Sequence, residues 1–531
     1  MFRALPKFKG FRPWVNFLLP QSQLCNEKLC ELMQSAPPPA PSPVPAPEPA
    51  PIQVPAPAPA PAPPPEPVSM EDSEFAKMMN PLSVAELRQR QPPIKWRTTD
   101  YTKDDPNRIE VMIPKEVAHH RWAIMDRLSH SERRRGNTHA LIIAGVRSIY
   151  GQPVRQLAEF AYLCDCLLPD MVLVLVRNRL MELRALLFQP EEREYIDPTL
   201  TTYACQRFNV DNVLPLSAFK ETLYRKLHNI SAKLWYTKDA SRLTQLVKEL
   251  AYDLKLNIDC PRHMMQCVRS VKTKRELTAI RRANLIASES MQEVIMEHEP
   301  YQGKHEIGLL FDEKCRQRHA YQELPYAPKL TAGLGNVWLM DGACQYAGYH
   351  GGLARYWPIL GRFSPPQKVL YNMLLEIRSK LCLLMSNKRS IVRTPRELHA
   401  TFLILLAAHL QKMRVLPDNL MRRPGNYKSV TRFTCFSTLI KHVGLDCEIN
   451  QDQMLNYKLM PGNVISLQLS VVIPSDCLQA YPEFRGLVCI LNDCVHIKDN
   501  HDVELLTDGC VSIARDLEEL RDSSKRSKLA N

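Results

Sequence analysis

No stretch of this chain approaches the roughly 18 consecutive apolar residues that a bilayer-spanning helix needs. The longest runs, Met171–Val176 and Phe402–Ala408, fall far short, so the expectation is a chain that does not cross a membrane. There is no Cys-x-x-Cys pair either. The 16 cysteines in 531 residues are scattered at about 3%, well below a disulfide scaffold. Cys164 and Cys166 stand two apart and would share one face of a strand. A reducing compartment with buried thiols is the simpler expectation. The sequence also lacks a Walker loop, a Gly-x-Ser-x-Gly elbow and a dinucleotide fingerprint, which removes the commonest nucleotide and serine-hydrolase chemistries. His305-Glu306 has Leu309 where a zincin needs its second histidine, and His119-His120 reads as a partly exposed pair on a helix rather than as metal ligands.

No acidic residue precedes Glu27, while Arg3, Lys7, Lys9 and Arg12 alternate with Phe2, Leu5, Phe8, Phe11, Trp14 and Phe17. A basic, acid-poor, amphipathic start is the composition of a mitochondrial presequence. A plain tail or a secretory signal are the other readings; Trp14–Leu19 is short and Pro-flanked for the latter. Residues 1–34 are therefore read as a presequence directing the protein to mitochondria, with the matrix as destination. From Pro37 to Pro67 proline alternates with alanine. Proline lacks the amide donor and fixes φ, so residues 35–80 are read as an extended, disordered linker.

What remains has ordinary globular composition, 45% hydrophobic and 24% charged, and length enough for more than one core. The net charge is +13, from 69 basic and 56 acidic residues. Its sharpest cluster, Arg133-Arg134-Arg135, has no neighbouring aromatics, so nucleic acid is not the expected partner.

Periodicity divides residues 81–265 from 266–515. In the first unit Lys115–Leu128 and Asp239–Leu254 read as helices, and Ala140–Ala144, Met171–Val176 and Arg184–Leu187 as strands, giving an α/β domain. The second opens on a capping-box pattern, Thr273-Lys-Arg-Glu276, followed by Leu277, Ile280, Ala283, Ala287, Met291 and Val294 at helical spacing. Further helices fit Ile307–His319, Gln367–Met385 and Thr394–Met413. Val337–Asp341, Val464–Leu469 and Leu487–Ile490 read as strands among Gly and Pro turns, which indicates α+β. Residues 516–531 read as a polar tail.

Several strings, in order, resemble the aminopeptidase P family and its creatinase/methionine-aminopeptidase, or pita-bread, fold. Ser270-Val-Lys-Thr-Lys-Arg-Glu-Leu resembles the opening helix of their catalytic domain. Leu339-Met-Asp341-Gly342-Ala-Cys344 with Arg355-Tyr-Trp357-Pro358 resembles their first metal strand pair, and Gly361-Arg-Phe-Ser-Pro-Pro-Gln367 the turn and helix after it. Pro461-Gly462-Asn-Val-Ile-Ser466 and Phe484-Arg-Gly-Leu487 resemble the turns before their two Glu strands. Glu159-Phe-Ala-Tyr-Leu-Cys164 with Pro169-Asp170 resembles their N-terminal domain. The resemblance spans about Ile109 to Leu520, and the mitochondrial Xaa-Pro aminopeptidase type looks nearest.

The resemblance implies two divalent metals, manganese foremost, held by two Asp, one His and two Glu. The first Asp falls on Asp341. The second, eleven residues on and three before Arg355, falls on Gly352; the His falls on Lys441, the first Glu on Gln468 and the last on Asn492. A one-residue slip would put His442 in place of Lys441, but the ungapped register also matches Gly444 and Asp446. A substrate-side histidine falls on Glu448, and the loop carrying another looks shortened between Tyr326 and Val337. The implied ligand set is formally −4; here Asp341 and Lys441 sum to zero. A protonated ammonium is no ligand and repels a nearby cation. The expectation is a pseudo-peptidase without cofactor, in which Lys441 pairs with Asp341 in place of metal charge. Arg355 and Trp357 are read as packing and ion-pair residues, with a retained pocket role as the other reading. Such a chain would bind a peptide or protein, as a homodimer or paired with an active relative. A working metalloaminopeptidase using Asp446, Glu448, Asp476 or Asp493, and a basic RNA- or ribosome-associated module, are the alternatives.

Overall fold

Thr273 caps the longest described helix as its spacing predicts. Its side chain accepts from the Glu276 amide, and the Glu276 carboxylate accepts from the Thr273 amide. The structure, a computed structural model, describes residues 114–131, 137–147, 155–190, 204–238, 242–386, 392–416, 428–446, 455–499 and 502–530. The presequence and linker readings, and Glu448, lie outside the described residues.

Chain order is α1 (Pro114–His130), β1 (Thr138–Ala144), α2 (Ala158–Leu163), β2 (Val172–Arg177), β3 (Leu183–Gln189), β4 (Asn212–Pro215), α3 (Phe219–Leu227), β5 (Ala232–Tyr236), α4 (Arg242–Asp253), β6 (Ile258–Asp259), α5 (Arg262–Ser270) and α6 (Lys274–Glu297). There follow α7 (Lys304–Gln317), β7 (Lys329–Gly333), β8 (Val337–Tyr346), β9 (Tyr349–Pro358), α8 (Pro365–Ser386), α9 (Pro395–Lys412), β10 (Ile440–His442), β11 (Val464–Val472), β12 (Val488–Ile497), β13 (Val503–Leu505) and α10 (Ala514–Ala530).

The first six strands form one mixed sheet in the order β4-β3-β2-β1-β5-β6. From Ala140 to Ala144 β1 is continuously apolar, as suits a strand covered on both faces. Leu141 and Ile143 enter one core with α1 and α2, whereas Ala140 and Ile142 enter another with α3 and α4. Cys164 ends a helix rather than lying on a strand, and both Cys164 and Cys166 are buried. His120 also differs from its sequence reading. It is 1% exposed and stacked on Tyr162, with ring centroids 3.9 Å apart.

The later strands form a seven-stranded antiparallel sheet, β10-β11-β12-β9-β8-β7, with β13 added to β12. α6 packs on β9 and β8, and α8 on β12 and β11, around a single large core. The segment read as a shortened loop after Tyr326 contains β7, which pairs with β8 through a tight turn. Gly335 there has φ +81°, and a Cβ on it would meet Gln367 Nε2 at 2.3 Å, so only glycine fits. The stretch read as a polar tail is helical. In α10, Leu517 and Leu520 enter the main core, because its apolar residues recur at helical spacing.

Candidate functional site

The strand register aligns the five positions onto which the resemblance carries the metal ligands. Asp341 pairs with Ala354, Ala354 with Asn492, and Asn492 with Gln468, a continuous row across β8, β9, β12 and β11. Gly352 lies two residues from Ala354. Lys441 pairs with Ser466, two residues from Gln468. Since strand side chains alternate faces with period two, all five positions share one face of the sheet.

Asp341, Asn492 and Gly352 each have a local partner. Tyr326 donates its hydroxyl to Asp341 Oδ1 at 2.7 Å. Ser466 donates to Asn492 Oδ1 at 2.6 Å. Gln468 and Asn492 are 6% and 5% exposed, whereas Asp341, Gly352 and Lys441 are half-buried. The Gly352 amide donates to Asn284 Oδ1 at 3.2 Å, while Asn284 Nδ2 donates to the Ile280 carbonyl at 2.8 Å. Asn284 also contacts the thiol of Cys494, which burial pushes up to about 12. Sequence reasoning missed Asn284. The available signal was a polar residue inside the apolar stripe that runs through Ile280, Ala283 and Ala287.

The strands pack closely at Gly352. A Cβ at this position would lie 2.7 Å from Ala343 Cβ and 2.9 Å from the Gly342 carbonyl oxygen. Neither atom belongs to a flexible side chain, so β8 and β9 have closed over the place a ligand side chain would occupy.

Arg355 and Trp357 project to the other face. Arg355 is 1% exposed and donates to the carbonyls of Val511, Ala354, Asn492, Thr507 and Cys510. Its Nη2 stands 2.8 Å from Asp493 Oδ1, and Arg378 Nη1 stands 2.5 Å from Asp493 Oδ2. Trp357 is fully buried, its indole N–H directed at His298 Nε2 at 3.5 Å. These two side chains do not join Asp341 on its face.

The carboxylates considered as replacement ligands are likewise engaged. Asp446 pairs with Arg269 at 2.7 Å and Asp476 with Arg432 at 3.0 Å, and Asp493 is held by its two arginines. Among the described residues no three His, Cys, Asp or Glu side chains gather as a metal cluster. His442, the slipped-register alternative, follows Lys441 on the opposite face and is 4% exposed. Glu306 has a local role: it accepts from the Gly303 amide at 2.9 Å, closing the start of α7. No described helix is long and apolar enough to cross a membrane.

No family model matches the chain. Xaa-Pro aminopeptidase 3 of Rattus norvegicus is 26% identical over 393 residues, covering 68% of this chain and 76% of that protein. Arabidopsis thaliana intermediate cleaving peptidase 55, mitochondrial, is 24% identical over 378 residues, covering 66% and 72%. Among solved structures, aminopeptidase P from E. coli superposes with TM-score 0.66 at 20% identity, covering 78% of this chain and 99% of that one. Proline aminopeptidase P II from Yersinia pestis gives 0.65 at 20%, covering 78% and 100%. The sheet and its flanking helices form a pita-bread fold. In sequence the chain is similar to Xaa-Pro aminopeptidases, and in fold to aminopeptidase P.

Proposed function

We propose that this chain is a non-catalytic member of the aminopeptidase P family. It keeps the fold to bind a peptide or protein and works in mitochondria, as a dimer with itself or with an active relative. The observation that carries the reading is the row Asp341–Asn492–Gln468 with Gly352 and Lys441. One carboxylate, two amides, an ammonium and a glycine stand where the family places four carboxylates and an imidazole. Two dications require several anionic oxygens around a bridging water. The residues present do not fit that group, and the closed approach at Gly352 leaves no room to recruit another side chain there. Lys441 supplies on this face the positive charge that would otherwise come from metal, balancing Asp341. The basic, acid-poor start of the chain and a relative named as mitochondrial support the location.

The test is manganese, cobalt and zinc content of the purified full-length chain, with turnover of peptides carrying proline at the second position in added manganese. Metal far below one equivalent and no turnover are expected. Two metals per chain, with turnover abolished by Asp341→Ala, would overturn the reading.

A further inference from the structure

Gln468 is 6% exposed, yet among the described residues its side-chain amide has no hydrogen-bond partner. Buried polar groups are nearly always hydrogen-bonded, and each exception asks for a reason. Asn492, 5% exposed, stands directly across from it on β12. The Oδ1 of Asn492 accepts from the Ser466 hydroxyl, which leaves its Nδ2 as a donor. Ser466 in turn pairs with Lys441 on β10.

These residues lie close together on one face. Paired residues on neighbouring strands have Cβ atoms about 5 Å apart, and alternate residues along one strand lie about 7 Å apart. The ammonium of Lys441, on its four-carbon stem, therefore comes within reach of the same small ligand as the two amides. All three groups bring N–H donors. The formal charge points the same way. Lys329 stands directly opposite Asp341 on β7, and the Tyr326 hydroxyl also donates to Asp341. Two lysines, 329 and 441, against one aspartate sum to +1.

We propose that Lys441, Gln468 and Asn492 bind a carboxylate, one oxygen accepting from the ammonium and the other from the two amides. The positions that the resemblance assigns to a pair of cations are here a site for an anion. Bonds from an ammonium to a carboxylate are of the charge-assisted, stronger kind, and a net charge of +1 suits a monoanion. The proposal rests on the reading that no metal pair occupies this face.

The experiment is calorimetric titration of the full-length chain with acetate, with acetamide as its uncharged twin, and with inorganic phosphate. A tripeptide with a free C-terminus and its C-terminal amide form a second pair, which separates a free organic acid from a peptide terminus as the source of the carboxylate. One acid or both are expected to bind at least about tenfold tighter than the uncharged twin, the size of one hydrogen bond to a charged group. The tighter of the two names the source. Gln468→Glu sets a carboxylate against the ligand, and Lys441→Met removes the ammonium; each is expected to weaken binding by about tenfold or more. Lys441→Met, at a half-buried position, carries the test should Gln468→Glu not fold. Equal binding of acid and uncharged twin, binding that ignores Lys441, or phosphate held tighter than acetate overturns the proposal. Two metals per chain would overturn it together with the non-catalytic reading, whereas a metal-free chain that binds neither acid overturns this proposal alone.

Discussion

Arg355 and Asp493 form an ion pair at 2.8 Å in which both side chains are 1% exposed. It ties β9 to β12 beneath the row of ligand positions, and Arg378 and Thr507 complete the shell around the carboxylate. Removing one partner leaves the other charge buried and uncompensated, a loss of about 3–5 kcal/mol. Asp493→Ala and Arg355→Ala are each expected to lower stability by that order in urea unfolding. Burial alone would raise the Asp493 pKa, but Arg355, Arg378 and Thr507 outweigh it and the net shift is downward. Its stabilisation is therefore present above the ordinary carboxylate range and lost only as pH falls through the depressed value.

Acid sensitivity at milder pH is expected from histidines instead. Burial, reinforced by Lys272, lowers His442 to about 3. Burial with Arg155 lowers His350 to about 4, and burial with Arg521 lowers His298 to about 4. Each stays neutral in the folded protein while the unfolded chain takes up a proton near pH 6.5. Stability is thus intact above about pH 6.5 and falls below it, by about 1.4 kcal/mol per pH unit for each histidine. Among the described residues neither ring nitrogen of His442 has a hydrogen-bond partner, so His442→Leu removes an unsatisfied polar group. Equal or greater stability at neutral pH and a shallower acid limb are expected. A steeper limb would contradict the assignment.

These two cases show what was legible in the sequence. The capping box at Thr273, the apolar stripe of α6 and the order of the family strings followed from local spacing, and the strand register brings the five carried-over positions to one face. Arg355, one residue from Ala354, was read as a packing and ion-pair residue with a pocket role as the other reading, yet its partner Asp493 lies far along the chain. Periodicity carries no signal for such a contact. The burial of His120, the roles of Asn284 and Arg521, and the approach of Ala343 to Gly352 depend on distant elements in the same way. The strand β7 carries little sequence signal because it is short and has Gly333 at its end.

The C-terminal helix illustrates that dependence. Arg521, 2% exposed, donates from Nη1 to the carbonyls of Ile295 and His298 at 2.9 and 3.0 Å, and from Nη2 to Ile359. It satisfies carbonyls at the end of α6 that have no intrahelical donor. Arg521→Ala is expected to cost about 2–3 kcal/mol, since bonds from a charged donor are the stronger kind. Thermal unfolding of the variant measures it, and a melting temperature equal to the parent would show that the cap is dispensable.

Placing a carboxylate at Gly352, where the resemblance puts an aspartate, tests the proposed non-catalytic reading. Gly352→Asp forces its Cβ to within 2.7 Å of Ala343 Cβ and 2.9 Å of the Gly342 carbonyl, and overpacking of this kind costs about 1–3 kcal/mol. Ala343→Gly removes the nearer atom but leaves the carbonyl, so the double variant is expected to recover part of that loss and not all of it. Neither is expected to hold manganese, because Lys441 remains a cation on the same face and Gln468 and Asn492 stay neutral. Calorimetric titration of manganese into both variants, read beside their melting curves, separates the two effects. If Gly352→Asp alone is as stable as the parent, the strands are free to part and the closure is not built in. If it also binds manganese tightly, the missing side chain at 352 was the decisive loss and Lys441 is no barrier.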